Sequence, residues 1–151
     1  MAAFTDAQTD AINAQGGSVL VSAAAGSGKT TVLIERIIRM ITRRENPIDV
    51  DRLLIVTFTR AAASEMKERL AKAINSLLEN DPYNSLLLRQ RQLMYNTSIC
   101  TIDSFCGSVV REYFHILGVQ KDFRLVDENE IKVIGSEALE SVLEDFYREN
   151  T

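Results

Sequence analysis

The sequence predicts an α/β fold, three-layered around a parallel sheet, incomplete, and followed by a C-terminal helical extension. Three observations predict it. Short apolar runs at residues 18–22, 53–56 and 98–102 alternate with longer stretches of helical periodicity. Alternation of that kind implies right-handed crossovers and parallel strands. Both prolines, Pro47 and Pro82, fall between the runs, where neither breaks an element.

Taken in order, Thr5-Asp6-Ala7-Gln8 reads as a capping box that opens a short helix to about residue 14, which Gln15-Gly16-Gly17 ends. Residues 18–22 form the first strand, a continuous apolar run of the kind buried on both faces of a parallel sheet. The next helix carries Ile34, Ile37, Ile38 and Ile41 on one face. Its Arg36, Arg39, Arg43 and Arg44 point elsewhere and crowd the C-terminal end, where cations suit the helix dipole. Residues 53–56 form the second strand. A helix over residues 61–79 follows, with Met66, Leu70, Ile74 and Leu77 inward. Residues 83–95 read as a less clearly periodic helix and residues 98–102 as the third strand. Asp103 is read as the N-cap of a helix carrying Phe105, Val109, Tyr113 and Leu117 up to Gly118. Residues 123–126 are short and extended. A last helix then presents Ile131, Ile134, Ala138, Val142 and Phe146 on one face.

The loop after the first strand carries chemistry. Ser22-Ala23-Ala24-Ala25-Gly26-Ser27-Gly28-Lys29-Thr30-Thr31 is strand, small-residue turn and helix start, the context of a phosphate-binding P-loop (Walker A). Small residues let successive N–H groups curl around one anion. The helix behind them adds the positive end of its dipole. Ala23, Ala24, Ala25, Gly26, Ser27, Gly28, Lys29, Thr30 and Thr31 are therefore the candidate nucleotide cradle. In it Lys29 faces the β- and γ-phosphates of ATP, and the Thr30 hydroxyl faces Mg²⁺, which takes few protein ligands. Lys29 and Thr30 are the candidate catalytic residues. The strict pattern has Gly where Ala23 stands, a difference that matters only if the backbone there needs a positive φ or no Cβ.

Composition bounds the rest. The 151 residues suggest one domain or a little more, and 46% hydrophobic content supports a sizeable core. A net charge of −4 excludes a polyanion binder by bulk charge, so any nucleic-acid contact comes from a local surface. Residues 119–151 hold 9 of the 21 acidic residues but only 4 of the 17 basic ones, and the part before them is near neutral. Cys100 and Cys106 form neither a C-x-x-C pair nor a disulfide framework, and read as buried free thiols. No charged-then-apolar leader and no run of membrane-spanning length is present, so a soluble cytoplasmic protein with no membrane partner is expected. His115, the only histidine, reads as a helix-end residue.

Four features stand in order: Phe4-x-x-x-Gln8-x-x-Ala11-Ile12; Ala23 to Thr30; Val56-Thr57-Phe58-Thr59-Arg60-Ala61-Ala62-Ala63-x-Glu65-Met66; and Thr101-Ile102-Asp103-Ser104-Phe105-Cys106. Together they resemble the N-terminal part of the UvrD/Rep-like superfamily of DNA helicases over nearly the whole chain. Residues 22–30 and 47–54 look most like the A subunits of bacterial AddAB-type helicase–nucleases. The resemblance implies that residues 1–118 are the N-terminal part of a first RecA-like ATP-binding domain. Residues 119–151 would begin an inserted helical accessory subdomain. It also implies ATP and Mg²⁺ as cofactors and single-stranded and duplex DNA as substrates. Its implied partner is a second helicase–nuclease subunit, and its implied role is double-strand-break repair and recombination.

Residue by residue, Gln8 matches the glutamine that reads adenine, and one amide offers the donor and acceptor that suit that edge. The bland reading is that Gln8 only closes the capping box. Thr57, Phe58, Thr59 and Arg60 match a motif that touches single-stranded DNA, with hydroxyls for phosphates and an aromatic ring for stacking. Arg60 replaces a common Asn and adds a phosphate partner. The bland reading makes Thr59 a helix N-cap and puts Phe58 in the core. Thr101 and Phe105 match a further DNA-contacting motif, in which Asp103 replaces a usual His.

A Walker B pair and the arginines of a second RecA-like domain are not found. Val126-Asp127-Glu128 is tempting as Walker B. However, Arg124 interrupts its apolar run, and Asp127 and Glu130 stand at capping-box spacing before Ile131. The expected function is ATP-driven movement on single-stranded DNA by the full-length parent, with the 151 residues alone inactive. A P-loop kinase of a small molecule explains the Ala23-to-Thr30 run but not the Thr57-to-Met66 run. A nucleotide-binding module without catalysis is the other alternative.

Overall fold

Thr5 opens the first helix, α1 (Asp6–Asn13), through the predicted reciprocal cap. Its hydroxyl accepts from the Gln8 backbone N–H, and Gln8 Oε1 accepts from the Thr5 N–H at 2.9 Å. The structure is a computed structural model that describes residues 4–24 and 26–149, so Ala25 of the loop lies outside the described residues. The chain divides into two compact units, one ending at Ser108 and one beginning at Val109.

In the first unit, α2 (Lys29–Ile41) follows the loop. A short 3-10 turn (Val50–Arg52) leads into β1 (Leu54–Thr57), and then come α3 (Arg60–Asn80), α4 (Ser85–Leu93) and a second 3-10 turn (Met94–Asn96). β2 (Ser98–Thr101) pairs with β1 in parallel, with Leu54 opposite Ser98 and Thr57 opposite Thr101. The core joins Ile37, Ile38 and Ile41 of α2 to Met66, Leu70 and Ile74 of α3, with Ile55 of β1, Val50, Leu87 and Met94. Inward residues of α3 recur at Met66, Leu70, Ile74 and Leu78, a four-residue ridge that leaves the expected Leu77 on its flank.

Gln90 is fully buried and fastens the segment ahead of β1. Its Oε1 accepts from Val50 N–H at 2.8 Å, and its Nε2 donates to Asp49 Oδ1 at 3.0 Å. Arg89 grips the same carboxylate with two hydrogen bonds of 2.9 and 2.6 Å. Those bonds, Arg89's first and Gln90's next, hold the Asp49 carboxyl below the usual range. Its contribution to stability is therefore present above the unfolded value and lost as pH falls through the folded one.

Residues 18–22 are not a strand, and Leu20 is 94% exposed. A strand exists only by pairing, and among the described residues the sheet has two strands, β1 and β2. The apolar run supplies one side of a ladder without supplying the other. The thiols are not both buried: Cys100 is half-buried in β2, and Cys106 is exposed on α5 (Ile102–Glu112), a helix that buries none of its residues. Asp103 is not the N-cap of α5. Thr101, one residue before the helix, accepts from Ser104 N–H at 3.2 Å, and Asp103 lies in the first turn.

The second unit holds the end of α5, α6 (Phe114–Leu117) and α7 (Glu128–Glu149). The predicted single helix over 103–117 is two, interrupted at Tyr113. His115 lies in the last turn of α6, its ring edge-on to Phe114. Residues 123–126 form no strand. Asp127 Oδ1 accepts from the N–H groups of Asn129 and Glu130 at 2.9 Å each, and Glu130 Oε2 accepts from Asp127 N–H at 3.1 Å. Arg124 pairs with Glu130 through two 2.7 Å hydrogen bonds, which hold that carboxyl below its usual range. These acids thus form a helix start. Asp127→Ala is expected to cost about 0.5–2 kcal/mol of α7 stability, read from helicity and melting. Glu128→Gln in the full-length parent is expected to leave ATP hydrolysis near the parental rate. A hundredfold loss with ATP binding retained would move the metal and water site to these residues.

Candidate nucleotide and nucleic-acid site

Gly28 stands at the head of α2 with φ +83°, and Gly26 two residues earlier has φ +78°. Both lie in the left-handed region, which a Cβ disfavours. Ala23 is not among the residues of positive φ, so alanine suits the first position of the loop. No side chain caps α2 and no acid lies in its first turn. The N–H groups of its first turn therefore keep their capacity for an outside acceptor. Lys29 Nζ folds back to donate to the carbonyls of Ala23 and Ala24, at 2.6 and 2.7 Å. An ammonium held at the mouth of an uncapped helix start, with two glycines in the turn, fits a phosphate chain. Thr30 and Thr31 follow on the first turn of α2.

Gln8 reaches the same loop. Its Nε2 donates to Ser27 O at 3.1 Å while its Oε1 holds Thr5 N–H. A Cβ on Gly28 would stand 3.5 Å from Gln8 Nε2. One side chain thus closes the capping box and touches the loop. Each amide atom still has a second hydrogen-bonding position, one N–H and one lone pair.

The two other motifs meet at the carboxyl ends of the parallel strands. Thr57 ends β1 directly opposite Thr101, which ends β2, although 43 residues separate them in sequence. Thr57 Oγ1 donates to Thr59 O at 2.9 Å, and Thr59 Oγ1 accepts from Ala62 N–H at 3.1 Å as the N-cap of α3. Phe58, between them, is 92% exposed. The capping role of Thr59 and the exposure of Phe58 hold together, so the expectation of a cap with Phe58 in the core is half right. Arg60 opens α3, exposed, with no ion-pair partner among the described residues. Thr101 is buried, its hydroxyl shared with Ser104 Oγ at 2.8 Å, and Phe105 is half-buried. A separate cleft of about 720 Å³ is lined by Lys67, Ile74, Arg91, Met94 and Tyr95 among others, and by none of the motif residues.

The pattern of the UvrD/REP helicase N-terminal domain matches residues 4–150. The chain belongs to this family. Similar proteins include the A subunit of the ATP-dependent helicase/nuclease of Anoxybacillus flavithermus, 50% identical over 97% of the chain. The corresponding proteins of Clostridioides difficile and Clostridium novyi are 50% and 51% identical over 97% and 95%. The chain spans about 12% of the length of each of these relatives.

One feature of this UvrD/Rep-type domain escaped the sequence reading. Arg36, expected to point away with the other arginines of α2, turns to α1. Its Nη1 donates to Ala11 O at 2.7 Å and to Ile12 O at 3.4 Å. The signal available in sequence was its spacing: Arg36 follows the buried Val32 by one turn and so borders the inward face. No helix among the described residues is long and apolar enough to cross a membrane, and these residues hold no cluster of metal-binding side chains.

Proposed function

We propose that this chain is the ATP-binding and DNA-gripping part of an ATP-dependent DNA helicase, within the A-type component of a helicase–nuclease. The full-length parent would move on single-stranded DNA, unwind duplex in the repair of double-strand breaks, and work with a second subunit in the cytoplasm. The N–H groups from Gly26 to Thr31 and Lys29 hold the phosphates, Thr30 meets Mg²⁺ and Gln8 reads adenine. ATP supplies the free energy of movement. The residues themselves bind, orient and neutralise, which is most of what phosphoryl transfer asks of a protein.

Thr57, Phe58, Thr59, Arg60, Thr101 and Phe105 form the DNA-facing edge. The observation that carries the reading is the strand-end register of Thr57 and Thr101. It brings two distant motifs together at the edge of a parallel sheet where ligands bind, on the same core as α2. The sheet is read as the beginning of a three-layer P-loop domain, with residues 1–118 in the RecA-like part and 119–151 opening an accessory subdomain. By themselves the 151 residues bind Mg-nucleotide weakly at most and turn over little ATP.

Strand displacement from a partial duplex by the full-length parent tests the proposal. Displacement that needs both ATP and Mg²⁺ supports it. Transfer of phosphate to a small molecule, with no displacement, would favour the kinase reading. In the same protein, Gln8→Ala is expected to narrow the ATP-to-GTP affinity ratio by about 1–3 kcal/mol of lost base discrimination. An unchanged ratio with a lowered melting temperature would reduce Gln8 to its capping role.

A further inference from the structure

α1 is the element that carries Gln8, and it packs on α2. It has 8 residues, too few for a stable isolated helix in water. Ile12 is its one buried residue, and its last turn has no basic residue of its own. Carbonyls of a last turn lack intrahelical partners and carry the negative end of the dipole. Arg36 supplies both missing terms from a neighbouring helix. It is half-buried, and its Nη1 donates to Ala11 O and Ile12 O. Arg39, one turn on, adds a 2.7 Å hydrogen bond to Asn13 Oδ1 while Glu35 holds its Nε. Gln8 and Ala11 lie about one turn apart on the same helix, so a shift at the C-terminal end moves the Gln8 amide with it.

We propose that Arg36 is a positioning residue for base recognition: it clamps the C-terminal carbonyls of α1 and thereby sets where the Gln8 amide meets the base. α2 then does two things at once. Its first turn faces the phosphates and its second, through Arg36, fixes the distance from the phosphate cradle to the base contact. A bound nucleotide spans those two points, so a clamp running from one to the other keeps base and phosphate contacts in register. The clamp acts on the base contact through α1, and phosphate binding alone does not need it. The inference rests on the reading of Gln8 as the adenine contact.

The test uses the full-length parent and three probes: ATP, GTP and inorganic tripolyphosphate. Arg36→Ala is expected to narrow the ATP-to-GTP affinity ratio by about threefold or more. That is part of the roughly five- to 150-fold that 1–3 kcal/mol of base discrimination represents. Tripolyphosphate affinity is expected to stay parental, and Arg36→Lys to recover part of the ratio. Adding Gln8→Ala to Arg36→Ala is expected to narrow it no further than Gln8→Ala alone. If Arg36→Ala does not fold, Arg36→Gln, which keeps a donor and loses the charge, is read in the same way. A parental ratio in the folded variant, while Gln8→Ala narrows it, would overturn the clamp and leave the Gln8 reading standing. A parental ratio in Gln8→Ala itself would overturn the Gln8 reading and the clamp with it. An equal loss for all three probes would make Arg36 a purely structural residue.

Discussion

Lys29→Ala in the full-length parent is expected to lower ATP turnover by about a hundredfold or more, with DNA binding in the absence of nucleotide retained. The size follows from what the ammonium does when charge develops on a transferring phosphoryl group: one preorganised donor at that point is worth about 10²–10³ in rate. The geometry adds a second effect. Lys29 ties the loop by its bonds to Ala23 and Ala24, so its loss also frees the cradle. Lys29→Met keeps most of the stem and removes the charge, and the same loss there assigns the effect to charge. Turnover within about threefold of parental in both variants, far below the scale of one lost preorganised donor, would remove Lys29 from the phosphate site.

Phe58→Ala and Arg60→Ala are expected to weaken binding to single-stranded DNA by different routes. Phe58 is 92% exposed just past the end of β1, so its ring face is open to a stacking base. Its removal is expected to cost about 1–3 kcal/mol, nearly independent of salt. Arg60 has no carboxylate to answer among the described residues and stands on the same edge. Its removal is expected to reduce the slope of log affinity against log salt by roughly 0.7, the value for one phosphate contact on a single strand. A salt titration of parent and both variants separates the two. Identical slopes for parent and Arg60→Ala would deny the phosphate contact, and unchanged affinity in Phe58→Ala would deny stacking.

What could be read from the sequence was what is decided within a few residues. The capping boxes of Thr5 with Gln8 and Asp127 with Glu130 are local exchanges between a side chain and the turn it opens, and both formed where their spacing put them. The glycines of the loop and the apolar faces of α2 and α3 belong to the same class. Readings that failed needed a distant partner or a choice between neighbours. The run at 18–22 has strand composition, but pairing is decided by what lies beside it. Asp103 and Thr101 are both good caps, and the end of β2 gave the place to Thr101. Arg36 reads as one of four arginines on a basic helix end. Only the three-dimensional approach of α1 shows that it answers two backbone carbonyls. In the site itself, the residues of each motif were legible, whereas the register that sets Thr57 opposite Thr101 was not.

The candidate nucleotide loop and the candidate DNA-facing edge stand on one core, α2 against α3 and β1, and the proposed function requires that they act on one another. ATP hydrolysis by the full-length parent, measured with and without single-stranded DNA under saturating Mg-ATP, tests it most directly. Stimulation by DNA is expected, lost in Lys29→Ala and needing more DNA to reach half its maximum in Phe58→Ala. Hydrolysis at the same rate with and without DNA, in a protein that binds both, would contradict it.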